Sequence, residues 1–218
     1  MEKITLSVPL IKALLEEFQK TVKQARDYIN KINFFPIPDK DTGTNLLITI
    51  SSIIDASQKN EYHSFSNLVD ELLSKKYLLK SGKGNVGIIF SAYLAGFLSG
   101  LKSQVSLEAE PLARAMKQGE SWAYRAIAEP REGTILDTIS ASANRVSSLS
   151  LSQKDLICLL DESLKEARQA LAATTQKLEV LKKNKVVDAG AFGFVLFLES
   201  FLKIIRESSE KEGRDGRN

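Results

Sequence analysis

The chain has 218 residues, of which 43% are hydrophobic and 26% are charged. This length and composition allow one large domain or two small ones with a hydrophobic core. Its 30 basic and 27 acidic residues nearly balance, so charge predicts neither a nucleic-acid nor a membrane partner.

Cysteine and histidine are almost absent from the chain. Cys158 is the only cysteine and His63 the only histidine. One cysteine excludes an internal disulfide, and one histidine leaves little for a histidine-ligated zinc site or a Ser-His-Asp triad. The sequence contains no signal-peptide pattern and no apolar stretch that we expect to span a bilayer, which predicts a cytoplasmic location.

Apolar residues recur at steps of three and four along most of the chain, which predicts eight helices. Ser152 and Asp155 resemble a capping box before the seventh helix. Alternating strand patterns and hairpin turns are missing, so the predicted fold class is all-α. The predicted domain covers residues 1–206, and residues 207–218 form a polar C-terminal tail. The predicted helices lie near residues 10–32, 46–54, 65–73, 85–99, 108–127, 134–143, 156–171 and 191–205.

The segment 33–45 places two carboxylates, two hydroxyls and an amide directly before the second predicted helix. Asp39 and Asp41 offer charged oxygen atoms of the kind that Mg²⁺ prefers, and Pro36 and Pro38 stiffen the approach to them. Asp, Thr and Asn before a helix are also the usual capping residues. Taken alone, the segment therefore fits a helix cap better than a metal site.

Four predicted helices begin with a polar turn that contains glycine. If consecutive helices run antiparallel, alternate helices start at the same end of the bundle, and these four turns meet. Helix N-termini present unpaired N–H groups and the positive end of the helix dipole, which favours phosphate binding. This convergence favours a nucleotide site. The turns lie at residues 39–45, 81–85, 132–134 and 188–190.

Two shorter patterns compete for the turn before the fourth predicted helix. Gly82, Gly84 and Gly87 match the G-x-G-x-x-G spacing, but that dinucleotide motif needs a preceding strand. Lys83 lies in a glycine-rich turn without the spacing of a P-loop. Neither pattern fits a helical context, so a helix start with close helix packing is the preferred interpretation.

Four ordered motifs resemble one known family. The segment 33–45 (NFFPIPDKDTGTN) is similar to the N-terminal kinase domain of the bacterial fatty acid kinase A subunit, which belongs to the dihydroxyacetone kinase L (DhaL) type. The resemblance continues through residues 84–87, 132–136 and 186–190, and it covers nearly the whole chain. It implies a barrel of about eight antiparallel helices that binds ATP at one rim through two Mg²⁺ ions.

The resemblance also implies roles for individual residues. Asp39 and Asp41 would be catalytic metal ligands, with Asn33 at the position where the dihydroxyacetone kinase branch has a third aspartate. The nucleotide-binding residues it implies are Thr42, Gly43, Thr44, Asn45, Gly84, Asn85, Val86, Gly87, Gly133, Thr134, Asp188 and Gly190.

The implied reaction transfers the γ-phosphate of ATP to a fatty acyl carboxylate. The implied partners are ATP or ADP and either a fatty-acid-binding protein or the downstream domains of related kinases; a homodimer is left open. Lys40 stands where the family usually has glycine, and Val86 where it usually has serine. Two alternatives therefore stay open: a nucleotide-binding module that lacks transfer activity by itself, and a dihydroxyacetone kinase L-type subunit.

Overall fold

The structure, a computed structural model, describes residues 4–215, with side chains described up to Lys211. This part of the chain forms ten helices and two very short strands. The strands are β1 (Ile4–Thr5) and β2 (Ser106–Leu107), which pair antiparallel. The helices are α1 (Val8–Lys31), α2 (Thr42–Gln58), α3 (Phe65–Ser74), α4 (Tyr77–Ser81), α5 (Gly84–Leu101), α6 (Ala109–Arg125), α7 (Ile135–Leu149), α8 (Leu156–Lys177), α9 (Glu179–Asn184) and α10 (Ala189–Asp215).

The all-α fold class is confirmed, and the eight longer helices correspond to the eight predicted ones. Helices α4 and α9 and both strands were not predicted from the sequence. Each of these elements has six residues or fewer. Such short elements do not contain enough turns or alternations to produce a hydrophobic period.

Two predicted helix boundaries differ from the structure. The capping box of Ser152 and Asp155 is wrong, because the Ser152 hydroxyl donates to the carbonyl of Leu149 in the preceding turn. Asp155 alone caps α8 by accepting from the amide of Cys158 at 2.8 Å. At the other end, helix α10 continues through Asp215, so most of the segment 207–218 is helical; residues 216–218 lie outside the described part.

Seven helices form a closed ring. Helices α1, α2, α5, α6, α7, α8 and α10 each contact the next in this order, and α10 returns to contact α1. Helices α3 and α4 pack against α2 and α5. Connections between most neighbours are short, which favours antiparallel packing. Helices α2, α5, α7 and α10 begin at one rim; α2 and α5 are neighbours in the ring and run in the same direction because α3 and α4 connect them.

Aromatic side chains fill the centre of this ring. Phe197 on α10 lies within 5.3–6.2 Å, between ring centroids, of five other aromatic rings. Helix α5 is long and apolar enough, by length and composition, to cross a membrane, but 72% of it is buried inside the fold. Burial against the ring of helices accounts for its apolar composition. The five partners of Phe197 are Phe18, Phe90, Tyr93, Phe194 and Phe201.

Candidate functional site

A cavity of about 780 Å³ opens at the rim where α2, α5, α7 and α10 begin. Residues from the first turn, or the residue before it, of all four helices line this cavity. The predicted convergence of the four polar turns is therefore confirmed. Four helix N-termini at one cavity bring four positive dipole ends together, which favours a bound anion.

Most of the residues singled out from the sequence line this cavity. Four do not: Gly43, Thr44, Gly87 and Gly133 lie in the same turns but outside the lining. Their structural contacts are with neighbouring helices instead. The sequence-predicted residues in the lining are Asn33, Asp39, Asp41, Thr42, Asn45, Gly84, Asn85, Val86, Thr134, Asp188 and Gly190.

Asn33 organises the acidic loop between α1 and α2. Its side chain is buried, and its amide nitrogen donates to the carbonyls of Phe35 and Ile37 at 3.4 and 3.3 Å. Its Oδ1 accepts from the amides of Asp41 and Thr42 at 3.1 and 3.2 Å. The side chain is thus already engaged with the loop backbone, which fits a positioning role; direct contact with a metal stays a prediction.

The start of α2 is capped by side chains from α1 and the residues after it. Asn30 Oδ1 accepts from the amides of Gly43 and Thr44 at 2.7 and 3.2 Å. Asp41 occupies the N-cap position, yet its side chain makes no capping hydrogen bond. The interpretation of Asp41 as an ordinary helix cap is therefore wrong, because Asn30 and Asn33 satisfy the amides that a cap would bind.

The donor set at the loop fits a divalent cation. Asp39 is exposed, Asp41 is half-buried, and both line the cavity. In the described part of the chain, neither carboxylate has an ion-pair or hydrogen-bond partner for its side chain. Two free carboxylates suit Mg²⁺, which takes one or two protein carboxylates and completes its shell with water and phosphate oxygens. Over the same residues, no cluster of three His, Cys, Asp or Glu side chains could hold a metal alone.

Lys40, between these two carboxylates, has a left-handed backbone. Its φ is +56°, and its exposed side chain lies outside the cavity lining. Only glycine adopts this conformation without a steric penalty from Cβ. The glycine that the resemblance implies at this position would adopt the same backbone without that penalty.

We expect Lys40→Gly to raise the free energy of unfolding by about 1 kcal/mol, because glycine removes the left-handed strain at a smaller entropic cost. Urea denaturation measures this change. Lys40→Ala is the matched control, since it removes the charge and keeps the strain. An equal gain from alanine would assign the effect to charge and contradict the prediction.

Close backbone contact between α2 and α5 sets the position of the α5 start. Gly84 has φ of +62°, and a Cβ there would lie 2.6 Å from the Asn45 amide nitrogen. A Cβ on Gly87 would lie 2.3 Å from the Thr49 hydroxyl, which accepts from the amide of Lys83 and donates to the carbonyl of Asn45. These glycines therefore let the N-terminus of α5 approach the first turns of α2.

Thr134 and Asp188 cap the other two helices at the rim. Thr134 Oγ1 accepts from the amide of Leu136 at 3.4 Å, and Asp188 Oδ1 accepts from the amide of Ala191 at 2.7 Å. Burial raises the pKa of Asp188 to about 7, although amide donors of Ala191 and Ile135 act in the opposite direction. Asp188 thus links the starts of α7 and α10 and titrates near neutral pH.

The sequence did not identify two walls of the cavity as part of the site. Phe35, Pro36 and Ile37 form one apolar wall beside the carboxylates, and the loop between α6 and α7 forms another. This loop contributes Arg131, the one cationic side chain that lines the cavity among the described residues, and Arg131 pairs with Glu129 at 3.1 Å. The signal that could have found Arg131 is its position between Pro130, which follows a helix, and the Gly133-Thr134 turn.

Comparison with known proteins places most of the chain in one domain family. Residues 36–203 match the model of the DAK2 domain. The uncharacterized protein MG369 of Mycoplasma genitalium is 38% identical over 183 residues, covering 81% of this chain and 32% of that protein. An uncharacterized protein of Staphylococcus haemolyticus is 33% identical over 177 residues, with 81% and 32% coverage. This chain therefore spans about a third of the length of these relatives.

The fold is similar to that of a solved kinase. The crystal structure of the dihydroxyacetone kinase from C. freundii in complex with AMP-PNP and Mg²⁺ has a TM-score of 0.63, with 15% sequence identity. The match covers 89% of this chain and 34% of the kinase chain. At this identity the similarity describes the all-α fold.

Proposed function

Because the chain belongs to the DAK2 domain family, we propose that it is the ATP-binding domain of a phosphotransferase. The proposed reaction moves the γ-phosphate of ATP to a fatty acyl carboxylate that a partner protein or further domains present. The observation that supports it is the cavity that combines four helix N-termini with the two free carboxylates of Asp39 and Asp41. We expect this reaction in the cytoplasm.

In this proposal the chain's residues mainly position and neutralise charge. The N–H groups at the start of α5 would face the phosphates, while Asn30 and Asn33 bind the amides at the start of α2 and hold the acidic loop in place. Asp39 and Asp41 would hold two Mg²⁺ ions. The bound metal would offset the charge of the transferred phosphoryl group. A carboxylate acceptor is ionised at neutral pH, so no general base is needed.

A thermal melt with and without Mg²⁺ and ATP tests the nucleotide site. Ligand at one hundred times its Kd adds about 2.7 kcal/mol to the stability of the native state. We expect Asp41→Ala to remove this gain, since it removes one of two carboxylates at the cavity. Asp55→Ala is the matched control, because Asp55 is an exposed aspartate on the same helix outside the lining. A wild-type melting temperature that does not change with millimolar Mg²⁺ and ATP would overturn the proposal.

Two alternative functions share the same nucleotide site. A dihydroxyacetone kinase L-type subunit would use a small triose as acceptor, and the similar fold of the C. freundii dihydroxyacetone kinase favours considering it. A module without transfer activity would bind nucleotide only, and the left-handed Lys40 and the apolar Val86 at the cavity favour that alternative.

Product analysis separates the three functions. The protein is incubated with Mg²⁺ and ATP and then given either an oleate-loaded fatty-acid-binding protein or dihydroxyacetone. Acyl phosphate supports the fatty acid kinase function, and phosphorylated triose supports the alternative acceptor. ATP binding without either product supports the non-catalytic module.

A further inference from the structure

The loop between α6 and α7 forms one wall of the nucleotide cavity but has few hydrogen bonds within itself. Ile127, Ala128, Glu129 and Arg131 from this loop line the cavity. At its end, the Thr134 hydroxyl donates to the carbonyl of Arg131 at 2.7 Å. A loop with few internal hydrogen bonds needs contacts from neighbouring elements to keep one conformation.

Asp137, in the first turn of α7, supplies such a contact. Its side chain is only 10% exposed. Its Oδ2 accepts from the amide of Gly133 at 3.0 Å and pairs with the Lys177 ammonium at 2.5 Å. One carboxylate oxygen therefore connects the end of the loop to the last residue of α8.

The packing around Gly133 supports the same connection. Gly133 has φ of +82°, and a Cβ there would lie 2.9 Å from Lys177 Cβ and from Leu178 Cγ. The turn thus lies directly against the end of α8. The hydrogen bond from Lys177 to Asp137 raises the pKa of the Lys177 ammonium, so Lys177 stays protonated at neutral pH. Lys177 lies outside the cavity lining.

We propose that the Asp137–Lys177 pair is a latch that positions the α6–α7 loop against the nucleotide cavity. This inference rests on the proposed function, because it assigns the loop to nucleotide binding. Asp137 and Lys177 are positioning residues: they act on the nucleotide through Gly133 and the loop, without touching the ligand.

Hydrogen exchange of the nucleotide-free protein tests the latch directly. Lys177→Gln removes the ammonium and keeps much of the side-chain length, so amides in residues 127–134 should exchange about fivefold faster, the range of a partly exposed ion pair. Lys177→Arg keeps the pair and should restore the wild-type rate. Arg168→Gln, which breaks an α8–α10 ion pair away from the loop, is the matched control and should leave these amides unchanged. Unchanged exchange in Lys177→Gln would overturn the proposal.

The affinity for Mg²⁺ and ATP provides the second readout. If the latch acts through one shared contact, Lys177→Gln and Asp137→Asn should each raise the Kd about fivefold, and the double variant should raise it no further. Additive losses, or a loss from Lys177→Gln alone, would show that Lys177 does not act through Asp137 and would overturn the latch. If the wild type binds no nucleotide, the proposed function fails, and the exchange experiment still decides whether the pair holds the loop.

Discussion

Asp188→Asn is expected to raise the free energy of unfolding by about 4 kcal/mol at pH 8 and to change it little at pH 4. The carboxyl is buried, and its pKa is raised from 3.8 to about 7. A raised pKa means that the folded protein favours the protonated form. The stabilisation is complete below pH 4 and disappears as the pH rises through 7, whereas an amide in the same place stays neutral.

Asparagine has nearly the size of the protonated aspartate and, like it, carries no charge. Asparagine Oδ1 can still accept from the amide of Ala191, so the cap on α10 is kept. Urea denaturation between pH 4 and pH 8 measures the difference between variant and wild type. Asp55→Asn, at an exposed position on α2, is the control. Its difference in unfolding free energy from the wild type should not change between pH 4 and pH 8. A difference that does not change with pH would contradict the assigned pKa.

Phe197→Ala is expected to lower the free energy of unfolding by about 3–5 kcal/mol, the range for truncating a buried phenylalanine. Phe197 is fully buried and contacts rings from α1, α5 and α10. Helices at opposite sides of the ring would lose a shared contact, and the rigid barrel leaves a cavity that cannot fully collapse. Chemical denaturation of both proteins at pH 6 measures this loss.

The control for this prediction is Val105→Ala, at a side chain that is 81% exposed. Its effect should stay within about 0.5 kcal/mol, as for most surface substitutions. A loss below about 1 kcal/mol for Phe197→Ala would mean that neighbouring side chains repack to fill the space. That result would contradict a close-packed aromatic centre.

The helices and the site rim were predictable because their signals are local. Apolar periods of three and four residues predicted all eight longer helices, and polar turns predicted which helices start at the cavity. The short helices α4 and α9 were not predicted, because five and six residues are too few to show an apolar period. The helical end of α10 was not predicted for another reason: its sequence is rich in charged residues and contains no apolar face.

The chemical state of the site residues was not predictable from the sequence. Asp41 has the residue type and position of a helix cap, and only the fold reveals that Asn30 and Asn33 supply the hydrogen bonds instead. Asp188 lies in one of the four polar turns and caps α10, but its raised pKa comes from burial, which the sequence does not reveal. Both effects depend on atoms that are far apart in sequence.

The sequence by itself determined the all-α class, the order of the helices and the four polar turns, because each depends on residues within a few positions of one another. Only the tertiary structure decided that Asp39 and Asp41 are free to face the cavity and that the loop with Arg131 completes it. It also decided that Lys177 and the amide of Gly133 contact the same carboxylate oxygen of Asp137. Hydrogen bonds, burial and ion pairs between distant segments exist only after the ring of helices has closed.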